Sequence, residues 1–315
     1  MFANIVSYQT GKSLSILQFV AGQIDTLEYI SGSRALKEKK LVIQEITQGG
    51  SVNVLRGINE SEFNIFLMDG DILEGAKQNR VLNTSVFIGS NSIIDIPVSC
   101  VERGRWHYKD NHFRGSDYII PSAMRSKKTS KVSMNLEESL EFDADQSEVW
   151  ENVDNYSMDF KVVSETSDLT EVLKEKKETI DELTNHFKLS PEANGMAVFV
   201  NDRLLHIDIF NRKDIYHEYF AKLLRGAVSE TLFLKPGNPL PVEKAVSILN
   251  TLLEKREKIT KKDYPAVGLG VEKRFEDKDI TGFELEFEKK KVHTTIMNLE
   301  KTRKGKNRGG EGYDE

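Results

Sequence analysis

Short strand-like segments joined by tight turns recur along this chain, and they constrain its fold more than any other feature. The clearest pair is Gly195–Val200 and Arg203–Phe210, separated only by Asn201-Asp202, a dipeptide that indicates a two-residue hairpin. Residues 41–48 alternate polar and apolar side chains, and Gly49-Gly50 then lets the chain return through residues 52–55. Because tight turns join adjacent strands directly, we expect a mostly antiparallel sheet.

Helical spacing of apolar residues appears only in the second half of the chain. Residues 168–187 predict an amphipathic helix, with Asp168 as its N-terminal cap, and further helices are predicted at 146–156, 214–228 and 241–256. Residues 107–133, rich in Lys, Arg and Ser, are interpreted as a long basic loop. The sequence therefore predicts an α+β fold: a strand-rich, mostly antiparallel half over residues 10–130, then helices and two further hairpins over 135–300.

Domain count and location follow from length and composition. We interpret residues 1–300 as one domain and residues 301–315, which have almost no apolar side chains, as a disordered tail. The net charge of -6 argues against a duplex nucleic-acid binder that relies on a basic face. A single cysteine excludes an internal disulfide framework. No stretch approaches the roughly 18 apolar residues of a membrane span, so we expect a cytoplasmic protein without a membrane partner.

The segment from Asp69 to Trp106 holds the densest group of chemically capable side chains. Its GAKQNR turn combines a glycine, which lets a ligand approach the backbone, with Lys77 and Arg80. An ammonium and a guanidinium suit an anion with several oxygens. Asp69 follows an apolar strand, where a functional acid and a plain Asp-Gly turn are both reasonable interpretations. This segment predicts a polar binding site without naming its ligand.

The neighbouring residues leave alternatives open. Cys100 continues a row of apolar residues, so a buried thiol is favoured over a nucleophile. Asn83 could line a site or lie on an exposed sheet face, and Glu102 could act as a base or form an ion pair with Arg103 or Arg105. No dinucleotide or P-loop glycine motif occurs.

Histidines and aromatic residues offer further candidates. His206 and Asp208 share one face of a predicted strand and are either an acid/base pair or two neighbours on a solvated face. His107 and His112 give only a weak metal signal. Trp106, and other aromatic residues interleaved with basic ones after it, could stack on a nucleotide or a short single strand.

The central segment resembles a known family. The runs LMDGDILEGAKQNRVLNTSV and IPVSCVERGRWHY are similar to the proteins associated with ADP-ribosylglycohydrolases and with rhodanese-phosphatase proteins, the ARPP family. Matching segments also occur at residues 49–52, 146–150 and 265–293, so the resemblance spans about residues 10 to 300. The positions that match the family's core motif are Asp69, Glu74, Lys77, Gln78, Asn79, Arg80, Asn83 and Glu102, with Trp106 beside them.

The resemblance implies work on NAD-derived molecules such as ADP-ribose and its phosphates. Under this hypothesis Lys77 and Arg80 would hold phosphate, and Trp106 would stack on the base. Gln78 and Asn79, with Asn83 nearby, would fix the ribose or the attacking water.

The acids would supply the chemistry of such an enzyme. Glu74 or Glu102 would act as general base, or with Asp69 would hold Mg²⁺ through oxygen ligands. Mg²⁺ is the only cofactor that the sequence suggests, and the metal ligands stay unassigned.

Three functions remain open at this stage. The first is an enzyme that processes an ADP-ribose-like nucleotide, a hydrolase or a transferase. The second is a sensor that binds the nucleotide without turnover, and the third is a structural or interaction protein in which the motif is an internal hydrogen-bond network. The expected partner is a small nucleotide, with short RNA or an ADP-ribosylated target as alternatives, and the oligomeric state stays open.

Overall fold

The computed structural model describes residues 3–22, 27–47, 49–233 and 237–299. The predicted tail at 301–315 lies outside these residues. The strands are β1 (Ala3–Gly11), β2 (Leu14–Ala21), β3 (Tyr29–Ser31), β4 (Leu41–Glu45), β5 (Val54–Asn59), β6 (Asn64–Leu67), β7 (Asp71–Gly75), β8 (Arg80–Leu82), β9 (Val86–Ile88), β10 (Ser92–Cys100), β11 (Phe113–Ile119), β12 (Gly195–Val200), β13 (Arg203–Phe210), β14 (Lys262–Pro265), β15 (Val267–Gly268), β16 (Val271–Glu276), β17 (Ile280–Phe287) and β18 (Lys290–Asn298).

Helices are concentrated after residue 120. They are α1 (Gly32–Lys37), α2 (Ser122–Ser139), α3 (Gln146–Phe160), α4 (Leu169–Glu175), α5 (Lys177–Asn185), α6 (Lys213–Thr231) and α7 (Val242–Lys258). The predicted α+β class is confirmed, as are the strand-rich N-terminal half and the mostly antiparallel pairing. The parallel pairs within the described residues are short, β3 with β6 and β15 with β9.

The largest sheet has eight strands in the order β1-β2-β12-β13-β18-β17-β16-β14. Helix α7 packs on one face, where Leu249 and Leu253 join Ile207 of β13 in one core cluster. On the other face, α2 contacts β13, β16 and β17, and α6 contacts β12 and β13. Because both faces are covered, side chains of either parity along β13 are buried.

Two smaller sheets position the central segment. The six-stranded sheet runs β11-β7-β8-β10-β5-β4, and the four-stranded sheet runs β15-β9-β6-β3. Strand β8 lies between β7 and β10, with Arg80 paired to Leu73 on one side and to Cys100 on the other. The turn between β7 and β8 therefore projects from a strand held on both sides.

The basic loop predicted at 107–133 is wrong over most of its length. It contains strand β11 and the first two-thirds of α2. Nine residues of α2 are buried, and only three of them are apolar, Met124, Val132 and Leu136. The other six carry polar or charged side chains: Ser122, Arg125, Ser126, Lys128, Thr129 and Ser133. A helix that buries polar side chains lacks the apolar period by which helices are found in a sequence.

The long helix predicted over 168–187 is two helices. Helix α4 ends at Glu175, α5 begins at Lys177, and Lys176 between them has φ −99° and ψ 10°. Asp168 caps α4 as predicted, because its carboxylate accepts a hydrogen bond from the Thr170 N–H at 2.9 Å. No helix in the described ranges is long and apolar enough to cross a membrane.

Candidate functional site

The GAKQNR turn joins β7 to β8 in a compact, mostly buried loop. Gly75 and Ala76 both have positive φ, at 126° and 40°. The Asn79 side chain closes the turn by accepting a hydrogen bond from the Gly75 N–H at 3.0 Å. A Cβ on Gly75 would lie 2.8 Å from the carbonyl oxygen of His112, so only glycine fits there.

Glu102 is the acid that holds this turn from below. Its carboxylate accepts hydrogen bonds from the Asn79 N–H at 3.0 Å and from Arg105 Nε and Nη2 at 2.7 and 2.6 Å. Arg105 also donates to the carbonyl of Ala76 at 2.6 Å. Glu102 is thus engaged by a two-pronged guanidinium, the ion-pair alternative that the sequence left open.

The amides of the turn bind the chain that follows. Asn79 Nδ2 donates to Asp168 Oδ2 at 3.0 Å and to Thr170 Oγ1 at 2.9 Å, tying the turn to the start of α4. Burial raises the pKa of Asp168. Gln78 Nε2 donates to the carbonyl of Arg103 at 3.0 Å. Both amides therefore have protein partners.

Glu74 lies on β7 at the opposite edge of the turn. It accepts hydrogen bonds from Lys174 Nζ and Ser116 Oγ, each at 2.6 Å, and Arg114 lies 3.4 Å away. Burial raises the pKa of Glu74, but the hydrogen bonds from Lys174 and Ser116 outweigh it and hold the pKa below its ordinary value. Glu74 is therefore a stabilised carboxylate.

Asp69 belongs to a separate network deep in the core. Arg125 of α2 donates to both Asp69 oxygens at 2.7 and 2.9 Å and to both Asp208 oxygens at 2.8 and 2.9 Å. Two ring nitrogens, His206 Nδ1 and His293 Nε2, lie 2.7 and 3.0 Å from Asp208. We call Asp69, Arg125, Lys128, His206, Asp208 and His293 the Arg125 network.

Lys128 connects that network to the backbone of Asn83. Lys128 Nζ donates to the carbonyl of Asn83 at 2.7 Å and lies 3.9 Å from Asp69. Burial lowers the pKa of Lys128 to about 8, although Asp69 acts to raise it. The Asn83 side chain bonds to Ser99 and to the carbonyl of Phe142, so Asn83 is a packing residue of the interior.

Lys77 and Arg80 lie elsewhere, beneath two aromatic rings. Lys77 Nζ lies 5.3 Å from the ring centroid of Trp106 and 5.2 Å from that of Tyr108, and Arg80 lies 5.7 Å from the Trp106 centroid. Trp106 is 45 % exposed and Tyr108 is 43 % exposed. We call Lys77, Arg80, Trp106 and Tyr108 the aromatic rim.

A short glycine segment, residues 49–51, covers the inner side of the rim. Lys77 Nζ donates to the carbonyl of Gly49 at 2.7 Å, and Arg80 Nη2 donates to that of Ser51 at 3.2 Å. Arg80 Nη1 donates to Gln78 Oε1 at 3.1 Å. Lys77 thus holds a neutral oxygen of the loop, whereas Arg80 holds neutral oxygens and also lies 3.5 Å from the carboxylate of Glu45.

These contacts divide the nine residues predicted for the site into three groups. The rim keeps Lys77, Arg80 and Trp106 together, with Gln78 beside Arg80. Asn79 and Glu102 hold the turn, with Glu74 at its edge, whereas Asp69 and Asn83 belong to the interior.

The family model described as the ARG and Rhodanese-Phosphatase-superfamily-associated Protein domain matches residues 3–297. The chain belongs to the ARPP family. No curated protein and no solved structure matches it.

The three acids assigned to catalysis have separate partners in this ARPP protein. Asp69 is paired with Arg125, Glu74 with Lys174 and Glu102 with Arg105. Within the described ranges, no group of three or more His, Cys, Asp and Glu could hold a metal ion. Their catalytic assignment stays a prediction.

Sequence reasoning missed two residues of the ARPP site. Arg125 lies within residues 107–133, which the sequence predicts as a basic loop. Glu45 was placed only on a strand, although the alternation of β4 puts it in the buried row of Leu41 and Ile43. A charged residue in a buried row is the signal that could have found it.

Proposed function

We propose that this ARPP protein binds a phosphate-bearing nucleotide of the ADP-ribose type at the aromatic rim. The observation that carries the proposal is that Lys77 is buried without a counter-ion. Its side chain is only 8 % exposed, and it has no carboxylate partner among the residues described. A buried ammonium without a counter-ion is costly unless a ligand supplies the negative charge.

The rest of the rim fits such a ligand. Trp106 and Tyr108 offer half-exposed ring faces on which a base can stack, which contributes ~1–3 kcal/mol per base in other proteins. The oxygens of a phosphate would replace the carbonyls that Lys77 and Arg80 now hold, and charge-assisted hydrogen bonds are about twice as strong as neutral ones. The association in the family's name with ARG proteins supports ADP-ribose as the class to test.

Binding without turnover agrees best with the acids of the motif. Asp69, Glu74 and Glu102 already accept hydrogen bonds from cations. Those from Lys174 and Ser116 hold the pKa of Glu74 below its ordinary value, which disfavours its use as a base. The pKa of Asp69 is lowered by Arg125 and Lys128 in spite of its burial. Processing of the nucleotide, short RNA and an ADP-ribosylated target stay untested predictions.

Isothermal titration of the full chain with ADP-ribose, NAD and ADP, each with and without Mg²⁺, tests the proposal. We expect binding that Lys77→Gln weakens about 10- to 100-fold, since a hydrogen bond to a charged group contributes ~1.5–3 kcal/mol. Trp106→Ala should weaken it as well. Lys244→Gln, at an exposed lysine of α7, is the matched control and should bind as the parent does.

Stability and product measurements complete the test. Lys77→Gln should melt at or above the temperature of the parent, because it removes a buried charge that has no counter-ion. Chromatography after long incubation should recover the nucleotide unchanged. No binding of any nucleotide, or equal binding by the Lys77 and Lys244 variants, would refute the proposal. Detection of a reaction product would show that the protein is an enzyme and not a sensor.

A further inference from the structure

Glu45 is a buried carboxylate that accepts no hydrogen bond from the described chain, and its ion-pair partner there is Arg80. It ends β4 beneath the aromatic rim, and its side chain is 2 % exposed. Neither carboxylate oxygen accepts a hydrogen bond from any described residue, and Arg80 Nη2 lies 3.5 Å from Oε1. Most buried polar atoms have a hydrogen-bond partner, so two empty acceptors on one group require an explanation.

The position of Gly50 relates Glu45 to the rim. Gly50 has φ 79°, and a Cβ built on it would lie 3.1 Å from Lys77 Cδ, 3.2 Å from Trp106 Cζ2 and 3.4 Å from Glu45 Oε2. One point beside the Gly50 backbone is therefore surrounded by an aromatic ring, a carboxylate and the stem of a cation. The backbone of Gly50 lies directly against this point.

We propose that Glu45 binds the vicinal 2′- and 3′-hydroxyls of the ribose of a nucleoside diphosphate, an inference that rests on the proposed function. Two hydroxyl donors one bond apart match two free oxygens of one carboxylate, and an acidic residue that accepts from ribose hydroxyls is a recurrent arrangement in nucleotide-binding proteins.

Entry of the ribose requires residues 49–51 to move away from Glu45. Two of the bonds that hold this segment are those from Lys77 to the Gly49 carbonyl and from Arg80 to the Ser51 carbonyl. A diphosphate competes for both cations with charged oxygens, which are stronger acceptors than carbonyls. Phosphate binding thereby frees the segment and opens the Glu45 carboxylate to the ribose.

The test compares ADP with 2′,3′-dideoxy-ADP, first on the unaltered full chain. The two ligands share base and phosphates and differ only in the hydroxyl pair. We expect the dideoxy ligand to bind at least 10-fold more weakly to the parent. Glu45→Gln should bind ADP about as weakly as the parent binds the dideoxy ligand, and it should no longer distinguish the two. Glu38→Gln, at an exposed glutamate, is the control and should keep the full preference.

The possible outcomes separate the two proposals. Equal binding of ADP and 2′,3′-dideoxy-ADP by the parent overturns the role of Glu45 and leaves nucleotide binding at the rim intact. A preference for ADP that Glu45→Gln retains also overturns it. No binding of either ligand by the parent overturns both proposals. If Glu45→Gln does not fold, Glu45→Asp, which withdraws the carboxylate by one methylene group, takes its place and should likewise lose the preference for ADP, whereas a retained preference overturns the role of Glu45.

Discussion

The Arg125 network and the aromatic rim both contain buried charges, but only in the network does the central charge have several partners of opposite charge. Arg125 makes four hydrogen bonds to two carboxylates, and two histidines lie against the second of these. In the rim, Lys77 donates to a carbonyl. The oxygens of Glu45, which lies beneath the rim, accept no hydrogen bond from the described residues.

This difference separates a structural role from a binding role among residues of similar burial. A buried charge with all its partners stabilises one arrangement of the chain and has little capacity left for a ligand. A buried charge without partners raises the free energy of the folded protein until something binds. Replacing Arg125 should therefore destabilise the protein far more than replacing Lys77.

The largest expected effect is that of Arg125→Met. It leaves the carboxylates of Asp69 and Asp208 buried without their cation, and breaking a buried ion pair on one side costs about 3–5 kcal/mol. Urea unfolding followed by circular dichroism measures the loss in the free energy of unfolding.

Lys77→Met is the matched control in the rim. It removes a buried cation of similar exposure but strands no carboxylate, so its free energy of unfolding should fall by less than about 1 kcal/mol, or rise. Similar losses for Arg125→Met and Lys77→Met would remove the distinction between the two regions.

Lys128→Met should change how stability depends on pH. Burial lowers the pKa of Lys128 to about 8 from the ordinary lysine value of 10.5. Between these values the unfolded chain holds a proton that the folded chain has released, so the parent gains stability as pH rises, by up to ~1.4 kcal/mol per pH unit. The charged side chains around Lys128 are Asp69, Arg125, Glu272 and Arg274.

Unfolding in urea at pH 8, 9 and 10 measures this gain as the difference between parent and variant. Buried tyrosines and Cys100, whose pKa burial raises to about 11, titrate in both proteins and cancel in the difference. From pH 8 to pH 10, we expect the free energy of unfolding of the parent to rise by roughly 1–3 kcal/mol relative to that of Lys128→Met. Parallel pH profiles would contradict the assignment.

Gly50→Ala should have a smaller effect than Arg125→Met and should sharpen the description of the rim. At φ 79°, a residue with a side chain costs about 1–2 kcal/mol, and the new methyl group would also crowd Lys77 and Trp106. Gly49→Ala is the neighbouring control, because the nearest atom to its Cβ is 3.6 Å away. Equal melting temperatures for the two variants would show that the segment adapts freely.

The fold was predictable wherever local patterns dominate. The hairpin of β12 and β13, the capped start of α4 and the final hairpin of β17 and β18 all follow from turn residues and periodicity. Helix α2 was not predictable in this way, since it buries Arg125 and Lys128 against partners from strands distant in sequence. Such partners become visible only when the sheets are assembled.

The same limit applies to the site. The sequence grouped nine residues of one segment, and three of them, Lys77, Arg80 and Trp106, meet at the rim. It could not show that Asp69 turns inward to Arg125, because the alternation of a short strand does not reveal what covers each face. Nor could it connect Glu45 with Trp106, which are joined through Gly50 and not by sequence spacing.

The order of strands in the large sheet has a consequence for synthesis of the chain. Strand β2 pairs with β1 on one side and with β12, which begins at Gly195, on the other. The hairpin of β1 and β2 therefore leaves the ribosome with an open hydrogen-bonding edge and keeps it until β12 has been made. This sheet forms late, because it depends on contacts between distant parts of the chain. Such topologies fold slowly, and the open strand edge is exposed to aggregation until the sheet is complete.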